Sequence, residues 1–372
     1  IRDRDFGSIK ENTGFQVKNF KLEERTEYAL TLEVSKTDRI RIRFNFNSGR
    51  YSAESIERLA ELYKNICVSA VNAQYPKDIE NISEEFAHKL KREIQAVADS
   101  TEKGSITYEF SKAVREQRDN TALELNGDVI SYNELDRITD ALAWKLHSLG
   151  LGENARIAVD ITPSFEVIAA MIAAVKIGGC YVPFDLMLPQ KRLNDIIKDA
   201  DIDILLTVGT KEIPSFNIKT IAVEVNELKN TTVPSDKAFI CNRNEKSISN
   251  IMFTSGTTAK PKGVVLNDGG VTGLVKHGNV IDHSRISCQF QNSSIAFDAA
   301  TFEIWGGLLH GKRVVIIDKD TLLSDEKFAD KIHENKGCCL FLTTTLFNNF
   351  TERNASMFDD ASYAVSYTHL RA

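Results

Sequence analysis

Residues 156–208 decide the fold class and read RIAVDITPSFEVIAAMIAAVKIGGCYVPFDLMLPQKRLNDIIKDADIDILLTV. Three short apolar runs, RIAVDI, CYVPFD and DILLTV, alternate with two longer segments whose apolar residues recur at helical spacing. Short apolar runs of this kind are typical of buried strands. Strands that alternate with amphipathic helices indicate a mostly parallel sheet with helices on both faces. Ligands bind such sheets at the loops beyond the carboxyl ends of the strands.

The same alternation extends to both sides of this stretch. Upstream, Ser131 and Glu134 form a predicted capping box for a helix that ends at Gly150. Downstream, the pattern continues through SNIMF, the segment 270–277, a helix around 302–309, RVVIID and CCLFLT. The sequence therefore predicts an α/β fold for most of the chain.

The first part of the chain has a different pattern. YALTLEV (28–34) and IRIRFNF (40–46) alternate as strands do, and Ser52 is the predicted N-cap of a helix that follows them. A charged stretch from about residue 78 to 105 has the composition of a helical connector. An α+β segment therefore precedes the α/β part.

Composition excludes several classes of protein. The chain has 372 residues, of which 42% are hydrophobic and 26% charged, as in soluble globular proteins with two domains or more. A net charge of -6 indicates neither nucleic acid nor an anionic membrane as partner. The longest apolar stretch, 167–177, contains Lys176 and is too short to span a bilayer. We expect a cytoplasmic protein whose natural start lies ahead of residue 1, because the chain opens with neither Met nor a signal-like segment.

The loop TSGTTAKPKG (254–263) directly follows the strand SNIMF. Its glycines allow backbone N–H groups to turn inward, its hydroxyls donate hydrogen bonds, and its lysines supply positive charge, all of which suit a polyphosphate. The spacing excludes a GxxxxGK[ST] phosphate loop. The same residue types also suit a solvated turn, so composition alone leaves both readings open.

The loop resembles the [YF]TSGTTGxPKG signature of the adenylate-forming superfamily, which includes acyl-CoA ligases, luciferases and the adenylation domains of nonribosomal peptide synthetases. Ala259 and Asp268 depart from this family pattern, which usually has Gly and His at those positions. If the first position needs a positive φ, Ala259 adds strain of about 1 kcal/mol and lowers nucleotide affinity. The resemblance implies that the ATP phosphates bind at Thr254, Ser255, Gly256, Thr257, Thr258, Lys260, Lys262 and Gly263.

Further motifs resemble the peptide-synthetase branch of this superfamily. ISYNEL (130–135) is similar to an early helix start of the family, and VKIGGCYVPFD (175–185) to a helix stop that leads into a strand. The resemblance implies the adenylate-forming, acyl-CoA synthetase-like N-terminal core, with mixed, mostly parallel sheets.

The stretch SIAFDAATFEIWGGLLHG (294–311) resembles the family motif that binds the substrate. In members that activate amino acids, the Asp of this motif pairs with the α-ammonium group of the substrate, and Asp298 has that place. From its residue type alone, Asp298 is better suited to cap the helix that follows, and one residue can have both roles. The resemblance also puts Ala299, Phe302 and Phe341 at the side-chain pocket, which implies a hydrophobic, aliphatic substrate such as valine or isoleucine; core packing is the alternative for both aromatic residues.

The front of the chain is similar to the closing strands and last helix of a condensation domain, but the HHxxxDG motif of such domains is absent from the sequence. We therefore expect a condensation-domain remnant (1–78), a helical linker (79–105), a truncated adenylation domain (106–365) and an out-of-family tail (366–372). The family's later Y-G-P-T-E, T-G-D and lid-lysine elements are also absent from the sequence. We predict no complete catalytic set, no metal ligands and little or no adenylation activity for the chain by itself.

The mechanism that the resemblance implies has two steps. The carboxylate of an amino acid attacks the α-phosphate of Mg-ATP (ATP with Mg²⁺), which forms aminoacyl-AMP and releases pyrophosphate. A phosphopantetheine thiol on a peptidyl carrier domain then takes the acyl group, and AMP leaves. Partners would be the amino acid, the carrier domain and neighbouring synthetase domains. Two alternatives remain at this point, an acyl- or aryl-CoA ligase of the same superfamily and a non-catalytic scaffold fragment.

Overall fold

A computed structural model describes residues 30–36, 40–49, 51–72, 104–209, 214–254, 262–277 and 281–366. The chain divides into two compact units, Ile1–Ser100 and Thr101–Ala372. Nearly all of the predicted linker, most of the loop 254–263 and all but the first residue of the predicted tail lie outside the described residues. The domain boundaries predicted from the sequence stay predictions.

The described part of the first unit contains a two-stranded antiparallel sheet and one helix: β1 (Leu30–Lys36), β2 (Ile40–Phe46) and α1 (Ala53–Asn72). The Oγ of Ser52 accepts a hydrogen bond from the N–H of Ser55 at 3.2 Å, which confirms the predicted N-cap. Phe44 packs edge-on against Tyr63 of the helix, with 6.1 Å between ring centroids.

The second unit alternates strands and helices along the chain. Its first half comprises α2 (Ile106–Glu116), β3 (Thr121–Leu125), β4 (Asp128–Ser131), α3 (Tyr132–Ser148), β5 (Arg156–Asp160), α4 (Phe165–Lys176), β6 (Cys180–Phe184), α5 (Gln190–Ala200), β7 (Ile204–Val208), β8 (Lys219–Val223) and α6 (Val225–Lys229). Its second half comprises β9 (Ile248–Thr254), β10 (Lys262–Asn267), α7 (Asp268–Thr272), a π-helix (Gly273–His277), a 3-10 turn (His283–Arg285), β11 (Cys288–Gln291), α8 (Ala299–Leu309), β12 (Arg313–Ile316), α9 (Lys319–Leu322), α10 (Asp325–Glu334), β13 (Cys338–Leu342), α11 (Thr344–Asn354), a second 3-10 turn (Ala355–Phe358) and β14 (Ala361–Ser366).

These strands form two six-stranded sheets, in the orders β10-β9-β6-β5-β7-β8 and β14-β13-β11-β12-β3-β4. All neighbours pair in parallel except β10 with β9 and β3 with β4, which form antiparallel hairpins at one edge of each sheet. The predicted α/β class with mixed, mostly parallel sheets is therefore confirmed. The carboxyl ends of β9, β11 and β13 carry the segments that the sequence assigns to the site.

Helix α8 connects the two sheets. All eleven of its residues are buried. The indole N–H of Trp305 donates to the hydroxyl of Tyr181 in β6 at 3.2 Å, and Tyr181 pairs with Asn250 in β9. On its other side, α8 packs against β11, β12 and β13 of the second sheet. Helix α8 therefore fixes the position of the segment between β11 and α8 relative to β9, the strand that leads into the predicted phosphate loop.

Several local predictions are confirmed. The side chains and backbones of Ser131 and Glu134 exchange the hydrogen bonds of a capping box, and Gly150 has a φ of 84° at the end of α3. The helix stop after α4 is also real, because Gly178 has a φ of 84° and a Cβ on Gly179 would lie 2.6 Å from the carbonyl oxygen of Ala155. Among the described residues, no helix has the length and apolar character needed to cross a membrane.

Candidate functional site

The predicted phosphate loop connects the two strands of the β9–β10 hairpin. Thr254 and Lys262 are direct cross-strand partners, so the loop between them begins and ends at one point. Ser255, Gly256, Thr257, Thr258 and Lys260 lie outside the described residues, and only the backbone of Thr254 is described. Lys262 is exposed at the start of β10. The assignment of these residues to ATP phosphates stays a prediction.

Gly263 has a packing role within the hairpin. A Cβ at this position would lie 3.2 Å from Cγ2 of Ile251 and 3.3 Å from Cζ of Phe253, on the neighbouring strand. Contacts this short are tighter than ordinary van der Waals contacts, so the strands could keep this spacing only if the neighbouring side chains shifted. The family resemblance implies that Gly263 binds phosphate. Packing against the neighbouring strand is a second reason for a glycine at this position.

The start of β9 is held by a buried ion pair that the sequence did not reveal. The guanidinium of Arg243 donates to both carboxylate oxygens of Asp268, at 3.0 and 2.6 Å, and also to the carbonyl oxygens of Gly179 and Ile248. Asp268 in turn accepts from the N–H of Ile106 at 3.1 Å. Asp268, noted above only as a departure from the family pattern, therefore ties α2, the end of α4 and the foot of the β9–β10 hairpin together.

The second component of the site is the segment 292–298, which follows the carboxyl end of β11 and leads into α8. Asp298 occupies the N-cap position of α8, with its side chain exposed. Its φ of -60° and ψ of -30° are helical, and its carboxylate accepts no capping hydrogen bond from the helix. The capping alternative is therefore not realised in this conformation. A carboxylate at this end of a helix is still favoured by the helix dipole.

The predicted pocket residues flank this segment. Ala299 and Phe302 lie in the first turn of α8, and both are buried. Phe302 packs in a cluster with Ile281, Ile286 and Cys339, so the core-packing alternative holds for at least part of its ring. Phe341, near the end of β13, is also buried, and its carbonyl oxygen accepts from the side-chain amide of Asn292 at 2.6 Å. The structure thus brings Asp298, Ala299, Phe302 and Phe341 to one end of the second sheet.

Sequence reasoning missed Glu303, one turn after Ala299. This carboxyl is fully buried in α8 and accepts hydrogen bonds from the backbone N–H and the hydroxyl of Ser293, at 3.0 and 2.7 Å. Burial raises the pKa of Glu303 to about 8, and hydrogen bonds from Ser293 and Asn292 oppose that shift. The available signal was a single acidic residue within the otherwise apolar FEIWGGLL.

Comparison with known proteins identifies the family of the chain. Residues 110–372 match the sequence model of the family described as AMP-binding enzyme. Bacitracin synthase 1 of Bacillus licheniformis is 29% identical over 361 residues, which cover 94% of this chain and 7% of that synthase. The chain thus spans a small fraction of the length of the curated relatives that it matches.

Two solved structures share the fold. The N-terminal subdomain of NpsA from Klebsiella oxytoca is 24% identical, with a TM-score of 0.63 over 73% of this chain and 70% of that one. An artificially fused adenylation–PCP di-domain NRPS of Klebsiella oxytoca, NpsA-ThdA, is 25% identical, with a TM-score of 0.62 over 72% of this chain and 53% of that one. Because the family model covers more than half of its length, the chain belongs to the AMP-binding enzyme family, and it is homologous to the adenylation domains of nonribosomal peptide synthetases.

Proposed function

We propose that this chain is part of a nonribosomal peptide synthetase that activates a hydrophobic amino acid, such as valine or isoleucine, as aminoacyl-AMP. The observation that carries the proposal is the exposed carboxylate of Asp298 at the head of a wholly buried helix, next to the buried Ala299 and Phe302. One charged group beside apolar side chains suits a ligand with one cationic end and an apolar remainder.

The physical basis of selection is the pairing of Asp298 with an α-ammonium group. A charge-assisted hydrogen bond of this kind is about twice as strong as a neutral one. A fatty or aryl acid offers no cation to this carboxylate and loses that interaction. Ala299, Phe302 and Phe341 would then accept an apolar side chain, because a polar one would leave unpaired atoms among them.

The second part of the proposal concerns ATP. The loop 254–263 would surround the β- and γ-phosphates with hydroxyl and N–H donors, and Lys260 and Lys262 would offset the negative charge that develops on departing pyrophosphate. The hairpin fits this role because its paired ends, Thr254 and Lys262, hold both ends of the loop on a rigid sheet. Mg²⁺ would arrive with ATP; among the described residues no group of three or more His, Cys, Asp or Glu side chains could hold a metal ion.

The third part concerns neighbouring domains. The match to bacitracin synthase 1 covers 94% of the chain and so extends ahead of residue 110, where the family model begins. This supports synthetase sequence ahead of the adenylation domain, and we propose a condensation-domain remnant at 1–78 and a linker at 79–105, followed by adenylation-domain sequence at 106–365. The adenylation–PCP architecture of NpsA-ThdA supports a carrier domain with phosphopantetheine as the acceptor of the acyl group. The cytoplasmic location and the out-of-family tail at 366–372 stay predictions.

Exchange of labelled pyrophosphate into ATP tests the proposal in the full-length protein that carries this chain. Each proteinogenic amino acid is assayed beside the carboxylic acid of the same shape that lacks the amine. We expect valine or isoleucine to support exchange at least tenfold faster than the matched acid. Exchange with fatty or aryl acids alone would favour the CoA-ligase alternative, and no exchange with any acid would favour the scaffold alternative.

A further inference from the structure

Glu303 is a buried acidic group that the proposed chemistry does not use. Its side chain is fully buried, and no basic side chain among the described residues lies within ion-pairing distance of it. An uncompensated buried carboxyl destabilises a fold, and an apolar residue at this position would complete the apolar surface of α8 at lower free energy. Its retention in this helix therefore calls for a role other than packing.

The contacts of Glu303 all lead to the segment before α8. Both of its oxygens accept hydrogen bonds from Ser293, one from the backbone N–H at 3.0 Å and the other from the hydroxyl at 2.7 Å. Asn292, the preceding residue, donates its side-chain amide to the carbonyl oxygen of Phe341 at 2.6 Å. The beginning of the segment 292–298 is thus tied to α8 on one side and to β13 on the other.

These two ties act on the residues assigned to the substrate. The segment 292–298 ends at Asp298, and the two elements that hold its beginning carry Ala299, Phe302 and Phe341. Displacement by about 1 Å is enough to weaken recognition of a small ligand severely. We propose that Glu303 is a positioning residue, which fixes the segment 292–298 and thereby the place at which Asp298 meets the ammonium group of the substrate. This inference rests on the proposed function.

A positioning role makes a specific kinetic prediction. The segment 292–298 follows a strand of the second sheet, whereas the phosphate loop belongs to a hairpin of the first sheet. Loss of the Glu303 contacts should therefore weaken amino-acid binding and leave ATP binding nearly unchanged. Loss of fold stability would affect both.

The experiment measures KM for the amino acid and for ATP by pyrophosphate exchange in wild type and in the variants E303A, E303Q and S293A. E124Q is the matched control, because Glu124 is a second buried glutamate, in β3 of the second sheet, and is paired instead with Arg313 and Lys331. We expect E303A to raise KM for the amino acid at least tenfold and KM for ATP less than twofold. S293A should raise KM for the amino acid about threefold, because the backbone N–H contact survives.

A pH series from 6.5 to 9.5 supplies a second readout. In wild type, deprotonation of Glu303 strengthens the hydrogen bonds that its oxygens accept from Ser293, so KM for the amino acid should fall relative to E303Q as pH rises through about 8. If E303A does not fold, E303Q and S293A still decide the matter. Equal increases in both KM values, or values in E303Q and S293A that match E124Q, would overturn the positioning role. The proposed function fails separately, by absence of amino-acid-dependent exchange in wild type.

Discussion

The buried pair between Arg243 and Asp268 should dominate the stability of the unit that carries the site. Both side chains are essentially inaccessible, with 1% and 0% of their surfaces exposed. Replacing Asp268 with Asn removes the negative charge and turns an amide N–H₂ toward the guanidinium, so Arg243 is left buried without a counter-charge. Breaking a buried pair in this way costs about 3–5 kcal/mol of unfolding free energy.

A surface pair in the same unit, joined by one hydrogen bond of similar length, provides a control. Arg156 and Asp201 are 2.7 Å apart, close to the 2.6 Å of the buried pair, but 40% and 89% of their side-chain surfaces are exposed. Asp201 has a φ of 52°, a conformation that Asn also adopts readily, so D201N tests the charge alone. An exposed pair contributes between about 0 and 1 kcal/mol.

Urea denaturation followed by tryptophan fluorescence measures both effects. The two tryptophans, Trp144 and Trp305, belong to the second unit, so the signal reports that unit alone. We expect D268N to lower the unfolding free energy by several kcal/mol more than D201N, and the double variant R243M/D268L to cost less than the sum of its single changes. A D268N variant within about 1 kcal/mol of D201N would refute the reasoning.

Two further predictions concern α8. The pKa of Glu303 lies near 8 in the folded protein, above its unfolded value of about 4.5, so the folded state keeps the proton longer and stability is lost as pH rises toward 8. From pH 6 to 9, wild type should lose about 2–3 kcal/mol of unfolding free energy relative to E303Q, as measured by urea titrations at each pH; parallel curves would contradict this. A Cβ at Gly307 would lie 2.5 Å from Cγ2 of Val314, so G307A should cost about 1–3 kcal/mol by overpacking. A Cβ at the neighbouring Gly306 would lie 3.6 Å from its nearest neighbour, Nε2 of His283, so G306A should leave the unfolding free energy unchanged or raise it. Equal effects of G307A and G306A would show that the packing of α8 is looser than described.

The fold was largely predictable because local signals agreed with one another. The run 156–208 yielded β5, α4, β6, α5 and β7 within one or two residues of their ends, since each strand was short, apolar and bounded by a helix stop. The hairpins β3–β4 and β9–β10 were not identified. Their return strands carry exposed residues such as Val129, Val264 and Val265, so burial gives them no clear apolar pattern.

The site could be predicted only for residues that lie close together in the sequence, within one motif. Asp298, Ala299 and Phe302 stand in one contiguous stretch, so their joint placement at the head of α8 followed from the sequence. Arg243 and Asp268 are 25 residues apart, and Glu303 acts on a serine ten residues before it, so these pairings depend on tertiary packing. No periodicity or local motif encodes such contacts.

The pairing of Asp298 with an ammonium group is tested most directly by one titration. Isothermal calorimetry compares the sulfamoyl-adenosine analogue of valine with the analogue of 3-methylbutanoic acid, which differs only in lacking the amine, in wild type and in D298N. We expect wild type to bind the valine analogue at least tenfold more tightly, a difference of about 1.4 kcal/mol or more, and D298N to remove this preference. Equal affinity of wild type for the two analogues would contradict it.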